Sequence, residues 1–311
     1  MDSLNTDKIF IIGPGAIGKS LAVFLQLAGK EVVLLRGSVR NNSYYTEEIS
    51  VEMPGGIIHT AKIKIATPDY YSQIEGTIVF ANKSFGNERL AGLLKNKINH
   101  SPIVLLQNGL GVERSFIEHN FTNIYRCVLF VTCQVLNDKL VRFKPVDSCP
   151  VGIERGNSGQ LENIVNQLTT EHFKFNVEEN IATVVWKKTI VNCVFNSVCS
   201  LLEADNGIFY RSKTALMIAQ RIISECRIIA KEKQINLSQE EITESLLKIS
   251  KLSDGQLIST LQDIRNHRET EIDTLNAEIV RIAAQINKLN EVKETRLLGE
   301  LVKLKSNTNH S

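Results

Sequence analysis

Short apolar runs alternate with helical spacing through the first half of the chain. Lys8–Gly13, Glu31–Arg36, Thr77–Asn82 and Pro102–Asn108 read as strands. Three of them are nearly continuous apolar runs, as expected for a parallel sheet covered on both faces. Between them, Ala16–Ala28, Asn87–Lys97 and Gly111–His119 have helical spacing, and the alternation predicts a layered α/β domain. Ile49–Ala66 alternates around a Pro54-Gly55-Gly56 turn and predicts an inserted hairpin. Tyr125–Leu136, Leu140–Lys144 and Pro150–Glu154 predict antiparallel strands that finish the sheet. Beyond about Asn180 the character changes. No proline follows Pro150, and Ala182–Leu202, Thr214–Lys233, Ser238–Ile249, Gly255–Asn266 and Glu271–Leu289 read as consecutive helices, with a short one near the C-terminus.

A chain of 311 residues suits two domains. Hydrophobic residues at 43% and charged residues at 23% exclude a mostly disordered chain. With 36 basic and 34 acidic side chains, the net charge of +2 gives no electrostatic case for nucleic-acid binding. No apolar run reaches the roughly 18–20 residues of a membrane span. Met1–Lys8 is polar and acidic, unlike a signal peptide, so the expected location is cytoplasmic. The six cysteines form no C-x-x-C pair and read as free thiols, with no metal site expected. His59, His100, His119, His172, His267 and His310 are scattered, and none is assigned a role.

Gly13-Pro14-Gly15-Ala16-Ile17-Gly18 fits G-x-G-x-x-G, and it lies between a strand and a helix, the context a dinucleotide fold requires. Gly13 permits the tight turn, Gly15 admits a pyrophosphate, and Gly18 lets helix and strand approach. The helix N-terminus offers unpaired N–H groups to phosphate. NAD sites usually carry an acid at the end of the second strand. Here Leu35-Arg36-Gly37-Ser38-Val39-Arg40 has none, and none follows until Glu47. Two guanidinium groups suit a 2′-phosphate and hence NADPH; the alternative is solvated surface arginines. The expected fold is α/β, an N-terminal Rossmann-type dinucleotide-binding domain over 1–180 followed by an all-α C-terminal domain over 181–311.

Between Lys188 and Glu203 there is no charged residue, the mark of an interior helix. Ile190, Val191, Val194, Phe195, Val198, Leu201 and Leu202 fill one broad face. Lys188, Asn192 and Asn196 form a stripe at i, i+4 and i+8, and Thr189, Cys193, Ser197 and Ser200 make the remaining face. A polar ligand in a cleft between domains would satisfy the stripe; the alternatives are water or neighbouring backbone. Glu271 projects to the edge of the apolar face of its expected helix, unless it is simply a first-turn acid beside a Thr270–Asp273 capping box. Ile272, Leu275, Ile279, Ile282, Ile286 and Leu289 repeat for under three heptads, which suits a core face or a homodimer interface rather than a coiled coil.

Together these segments resemble the ketopantoate reductase (2-dehydropantoate 2-reductase) family from the glycine loop to about residue 289. The most specific pieces are Trp186-Lys187-Lys188 leading into Val191-Asn192-Cys193-Val194-Phe195-Asn196, and Ser259–Arg265 leading into Thr270-Glu271-Ile272-Asp273. Leu106-Gln107-Asn108-Gly109 and Ala81-Asn82-Lys83 look like two further family motifs. The resemblance implies NADPH-dependent reduction of a small 2-oxo acid, 2-dehydropantoate, to pantoate in pantothenate synthesis. It implies Lys188 as general acid, Asn192, Asn196 and Ser259 as substrate binders, and Glu271 as the carboxylate that organises the site. It also implies Lys83 and Asn108 near nicotinamide and substrate, with Gly13–Gly18 and Arg36 on the cofactor. The chain departs from the family at Ser84-Phe85-Gly86, at Gln256 where an Asn is common, and in lacking a proline within 287–295. Reduction of another 2-oxo acid and a catalytically silent NADPH sensor are the competing functions.

Overall fold

The computed structural model describes Lys8–Thr308; the polar start before Lys8 and the last three residues of the tail lie outside the described residues. Within them the chain runs β1 (Ile9–Ile12), α1 (Ala16–Leu27), β2 (Val32–Leu35), β3 (Tyr44–Glu52), β4 (Ile58–Ala66), β5 (Thr77–Phe80), α2 (Asn87–Leu94), β6 (Ile103–Leu105), α3 (Arg114–Glu118) and β7 (Ile124–Cys127). Then come β8 (Val131–Val135), β9 (Leu140–Pro145), β10 (Cys149–Arg155), α4 (Leu161–Leu168) and β11 (Phe175–Val177). The rest is helical: α5 (Ile181–Val194), a π turn (Phe195–Cys199), α6 (Ser200–Leu202), α7 (Ile208–Arg211), α8 (Lys213–Glu232), α9 (Gln239–Leu252), α10 (Ser259–Arg265), α11 (Asn276–Gln285) and α12 (Lys293–Thr308).

The strands form one sheet in the order β11-β10-β7-β6-β5-β1-β2-β4-β3-β9-β8. Its centre is parallel, with β1 between β2 and β5. The continuous apolar runs follow from burial on both faces. Ile9, Ile11, Val32, Leu34 and Val79 enter one core, while Phe10, Ile12, Val33, Leu35 and Phe80 enter the other. Helices α1 and α4 cover the first core, and α2 and α3 the second. The architecture is therefore a Rossmann-type α/β unit followed by a helical one.

Tertiary pairing changes several expected elements. The inserted hairpin is longer than its alternating pattern, with nine pairs from Tyr44↔Ala66 to Glu52↔Ile58. Tyr125–Leu136 is not one strand. Val128 donates its N–H to Pro150 O, and the Phe130 carbonyl accepts from Val146 and Asp147, so the chain turns away. As a result β7 lies beside β6, and β8 ends the sheet beside β9. The finishing strands are not uniformly antiparallel: β7 pairs with β10 and β8 with β9 in that sense, but β7 joins β6, β9 joins β3 and β11 joins β10 in parallel. Sequence periodicity missed the short β11, α4 and α7.

The described residues divide into two compact units. Residues up to Gln107 and Val112–Ile181 form the first; Asn108–Gly111 and the residues from Ala182 onward form the second. The four-residue excursion explains a further correction. Glu271–Leu289 is not a single helix: Ile272–Thr274 is a 3-10 turn, and the α-helix begins only at Asn276. The Thr274 carbonyl accepts the Leu110 N–H at 2.8 Å, so that oxygen is taken by the Asn108–Gly111 strip. Glu271 precedes the 3-10 turn without side-chain capping, and no Thr270–Asp273 capping box forms. The heptad-like residues Ile272, Leu275, Ile279 and Ile282 are buried in this unit's own core, where α11 packs on α8 and α12. Leu289 lies beyond α11 and is exposed.

Phe143 on β9 packs edge-on against Phe24 of α1 at 5.1 Å and against Phe173 at 5.0 Å. It anchors the outer strands to the dinucleotide-type core. Phe143→Ala is expected to cost about 3–5 kcal/mol, read as a lowered denaturant midpoint at unchanged slope. A loss below about 1 kcal/mol would mean that the outer strands do not share that core.

Candidate active site

The strand order reverses at β1: the chain leaves it through α1 to β2 on one side, and β5 lies on the other. Ligands of open α/β sheets bind at the carboxyl ends of the strands flanking such a point. Ile12 is level with Leu35 and Phe80, so Gly13, Arg36 and Ala81 begin three adjacent loops on one rim. Gly13 has φ +110°, and a Cβ there would meet Asn82 N at 2.5 Å. A Cβ on Gly18 would overlap the Gly13 carbonyl oxygen, whereas one on Gly15 would meet nothing within 4 Å. Two glycines are thus needed by the fold, and the third faces open space. Gly15 and Pro14 are exposed, while Ala16 and Ile17 are half-buried. Helix α1 starts with no side-chain cap and no acid in its first turn, leaving its N–H groups for an anion. These features fit a dinucleotide pyrophosphate.

The stretch Gly13–Ser20 also satisfies G-x-x-x-x-G-K-S, the phosphate loop of nucleoside triphosphatases. The geometry separates the two. The helix has already begun at Ala16, Lys19 Nζ donates to the Asp138 carbonyl, and Ser20 is fully buried with Oγ 3.8 Å from Cys133 Sγ. Neither Lys19 nor Ser20 is placed as that loop requires.

At the end of β2, a Cβ on Gly37 would meet Leu90 Cδ2 at 2.9 Å, and Arg89 Nη2 donates to the Gly37 carbonyl at 2.7 Å. Arg36 is half-buried and donates through Nη1 to Tyr45 Oη at 3.4 Å. Arg40 donates to Asp69 Oδ2 at 2.6 Å. The sequence has no acid here until Glu47, but the fold brings Asp69 in from the turn after β4. The two arginines therefore differ: Arg40 has a counter-charge and Arg36 a phenol. Beyond β5, Gln107 Nε2 donates to Asn82 O at 3.0 Å and to Asn87 Oδ1 at 2.7 Å. Asn87 Nδ2 returns a bond to Gln107 Oε1 at 2.8 Å. This amide network positions Asn82-Lys83 on the rim. Lys83 is half-buried, and Asn82 Oδ1 is buried without a hydrogen-bond partner. Ser84–Gly86 forms a 3-10 turn with Phe85 exposed.

In the helical unit, α5, the π turn and α6 form one uncharged run after Lys188. Up to Ser200, the residues Thr189, Cys193, Ser197 and Ser200 are buried as fully as the aliphatic side; Leu202, expected on the apolar face, is exposed. Such a helix has no solvent face to carry charge. Lys188 and Asn192 are half-buried. Asn196 is 3% exposed and lies in the π turn, a distortion frequent at functional sites. Its Nδ2 donates to the Asn192 carbonyl at 2.9 Å, while its Oδ1 is buried without a partner. The neighbouring-backbone alternative therefore accounts for half of this amide. Lys187 pairs with Glu241 at 3.4 Å. Burial pushes the Cys199 thiol up to about 12 and raises Cys193 well above the usual thiol range, so neither is a thiolate nucleophile at neutral pH.

Ser259 opens α10 and is exposed, and α10 packs on the π turn that holds Asn196. Thr274 joins two other candidates. Its Oγ1 donates to the Asn108 carbonyl at 3.2 Å and lies 3.1 Å from the Glu271 carbonyl. Gly109, at φ +92°, lets the strip lie against Thr274, where any Cβ would overlap. Asn206 was not legible as a candidate. It is buried with Oδ1 unpartnered, and its N–H donates to the Gln256 carbonyl at 2.9 Å. Only the three-dimensional neighbourhood distinguishes it from other loop asparagines. Among the described residues, no three His, Cys, Asp or Glu side chains gather as metal ligands, and no helix is long and apolar enough to cross a membrane.

Comparison with known proteins gives two family matches: "Ketopantoate reductase PanE/ApbA" over residues 9–153 and "Ketopantoate reductase PanE/ApbA C terminal" over 180–306. A 2-dehydropantoate 2-reductase of Streptococcus pyogenes is 26% identical over 278 residues, covering 87% of this chain and 89% of that one. A PanE/ApbA family ketopantoate reductase of Ralstonia eutropha has a similar structure, with TM-score 0.83 and 20% identity over 98% of this chain and all of the other. A D-mandelate dehydrogenase, solved with NADH and anilino(oxo)acetate, has TM-score 0.82 and 23% identity, again over 98% of this chain and all of that one.

The contrast between Gly15 and Gly18 is directly testable. Gly15→Ala should leave the melting temperature nearly unchanged yet weaken NAD(P)H binding at least about 10-fold, because the new methyl occupies the space beside the phosphates. Gly18→Ala should instead destabilise the fold by about 1–3 kcal/mol. Calorimetric melts and equilibrium cofactor titrations check both; equal behaviour of the two variants would contradict the geometry.

Proposed function

The chain belongs to the ketopantoate reductase family, and on that premise we propose that it reduces 2-dehydropantoate to pantoate with NADPH. More broadly, it is an oxidoreductase that uses an NAD(P)H-type dinucleotide. The observation carrying the proposal is the stripe that opens the uncharged run: Lys188, then Asn192, then Asn196 with a buried oxygen that has no donor. An unsatisfied buried polar atom costs roughly 1–3 kcal/mol, and a hydroxylated ligand would recover it.

A reduced nicotinamide, when bound, would supply the hydride that the carbonyl carbon accepts. Lys188 holds the proton that the carbonyl oxygen acquires as negative charge builds there. Asn192 and Asn196 orient the substrate, and Ser259 adds a hydroxyl. Glu271 and Asn108, tied to one another through Thr274, hold the substrate's hydroxyl side. On the dinucleotide unit, Gly13–Gly18 takes the pyrophosphate, Lys83 sits on the nicotinamide side, and Arg36 takes the 2′-phosphate. Gln256 favours a second reading, in which the same groups reduce another 2-oxo acid, because it is longer than the Asn common in the family.

Three measurements test this. Purified protein should oxidise NADPH with 2-dehydropantoate faster than with other 2-oxo acids; no turnover with any of them would leave a sensor. Lys188→Ala should lower kcat by roughly 10²–10⁴-fold with cofactor affinity unchanged, while Lys187→Ala, which loses only a pair to Glu241, should stay near the parent rate. The reverse pattern would reassign the general acid. Arg36→Glu should shift preference from NADPH toward NADH by about 10-fold or more, read as the ratio of dissociation constants.

A further inference from the structure

The rim at the end of β2 carries more than the sequence assigned to it. Arg36 donates to Tyr45 Oη, so the tyrosine oxygen is an acceptor in that contact and its own O–H is left to donate elsewhere. Tyr45 belongs to the inserted hairpin, one residue from the pair that aligns Tyr44 with Ala66. The Arg36 N–H donates to the Ala66 carbonyl at 2.8 Å, fixing the start of the arginine loop against β4. Asp69 follows in the turn after β4, where Tyr70 stacks on Tyr44 with ring centroids 4.8 Å apart. The Arg40–Asp69 pair at 2.6 Å closes this edge. The hairpin thus brings a phenol to one arginine, and the turn behind it brings a carboxylate to the other.

We propose that Tyr45 and Asp69 set the cofactor preference, Tyr45 by donating with Arg36 to a 2′-phosphate and Asp69 by holding Arg40 away from it. The inference rests on the NADPH reading above and deepens it. A phosphate monoester accepts several charge-assisted hydrogen bonds, and a guanidinium plus a phenol offers a compact donor set. Asp69 acts in the opposite sense. Its charge neutralises Arg40 and repels a second anion, so one arginine rather than two engages the phosphate. The margin of NADPH over NADH is narrowed in this way, because the attraction forgone is specific to the phosphate. Asp69 thus brings a carboxylate to the arginine loop after β2, and it does so from the 3-10 turn that follows β4.

The test is equilibrium titration of the full chain with NADPH and with NADH, followed by nicotinamide fluorescence, with thermal melts to verify folding. Tyr45→Phe should weaken NADPH by about 2- to 10-fold and leave NADH within about twofold. Asp69→Asn should tighten NADPH by about 3- to 10-fold, again without effect on NADH, and the gain should shrink as salt screens the freed guanidinium. Adding Arg40→Gln to Asp69→Asn should remove the gain. If the parent prefers NADPH and Arg36→Glu abolishes that preference, but Tyr45→Phe and Asp69→Asn leave the ratio unchanged, this inference falls and the NADPH reading stands. If the parent binds both cofactors alike and Arg36→Glu changes nothing, the NADPH reading fails and takes the inference with it.

Discussion

Helix α1 can start at Ala16 only because Gly18 has no side chain. The Gly13 carbonyl oxygen occupies the place where a Cβ would be, so strand, loop and helix close on one another without room for an atom. From that closure the rest of the rim follows. Gly13 is pressed against the backbone of Asn82, Asn82 is held by Gln107, and Gln107 is locked to Asn87. A single missing methyl group thus sets the position of two loops from different strands. It also leaves Gly15 facing open space, so the loop can be tight against the protein and accessible on its outer side.

The helical unit answers to a different constraint, the cost of burying polar groups. An uncharged helix buried on both faces can carry amides only if they are paired. Asn196 meets that demand on its nitrogen and not on its oxygen, and the π turn around it is where the regular backbone ladder is already altered. Ordinary packing would favour Leu or Ala at such a position. Keeping an amide there is costly for stability, so the buried oxygen marks this position more sharply than its sequence spacing does.

Much of this was legible beforehand, and the misses have physical causes. The parallel strands were clear because burial on both faces leaves continuous apolar runs, and the glycine loop because each glycine answers to a steric need. The uncharged helix was visible as a gap between Lys188 and Glu203. Three things were not. Asp69 pairs with Arg40 across 29 positions, and no local rule predicts a counter-charge from the turn after β4. At the break before Asn276, the Thr274 carbonyl that a helix would have used is taken by the N–H of Leu110, far earlier in the chain. Asn206 became a candidate only once its oxygen was found buried and unpaired. Local pattern shows the elements that hold the candidate residues better than it shows the distant residues that restrain them.

The excursion of Asn108–Gly111 into the helical unit has a consequence for how the protein is made. A ribosome releases this strip 166 positions before Thr274, the residue that bonds the Asn108 carbonyl. At the usual pace of elongation, on the order of 5–20 residues per second, the nascent chain waits roughly 8–33 s for that partner. Until then the loop after β6 lacks the partner that holds it, first while the remaining strands of the sheet are made and then while the helical unit is. Gly109, which adopts its left-handed conformation at little cost, lets the strip wait without strain. The strip therefore reaches its final place only after the residues of the helical unit that hold it have been made.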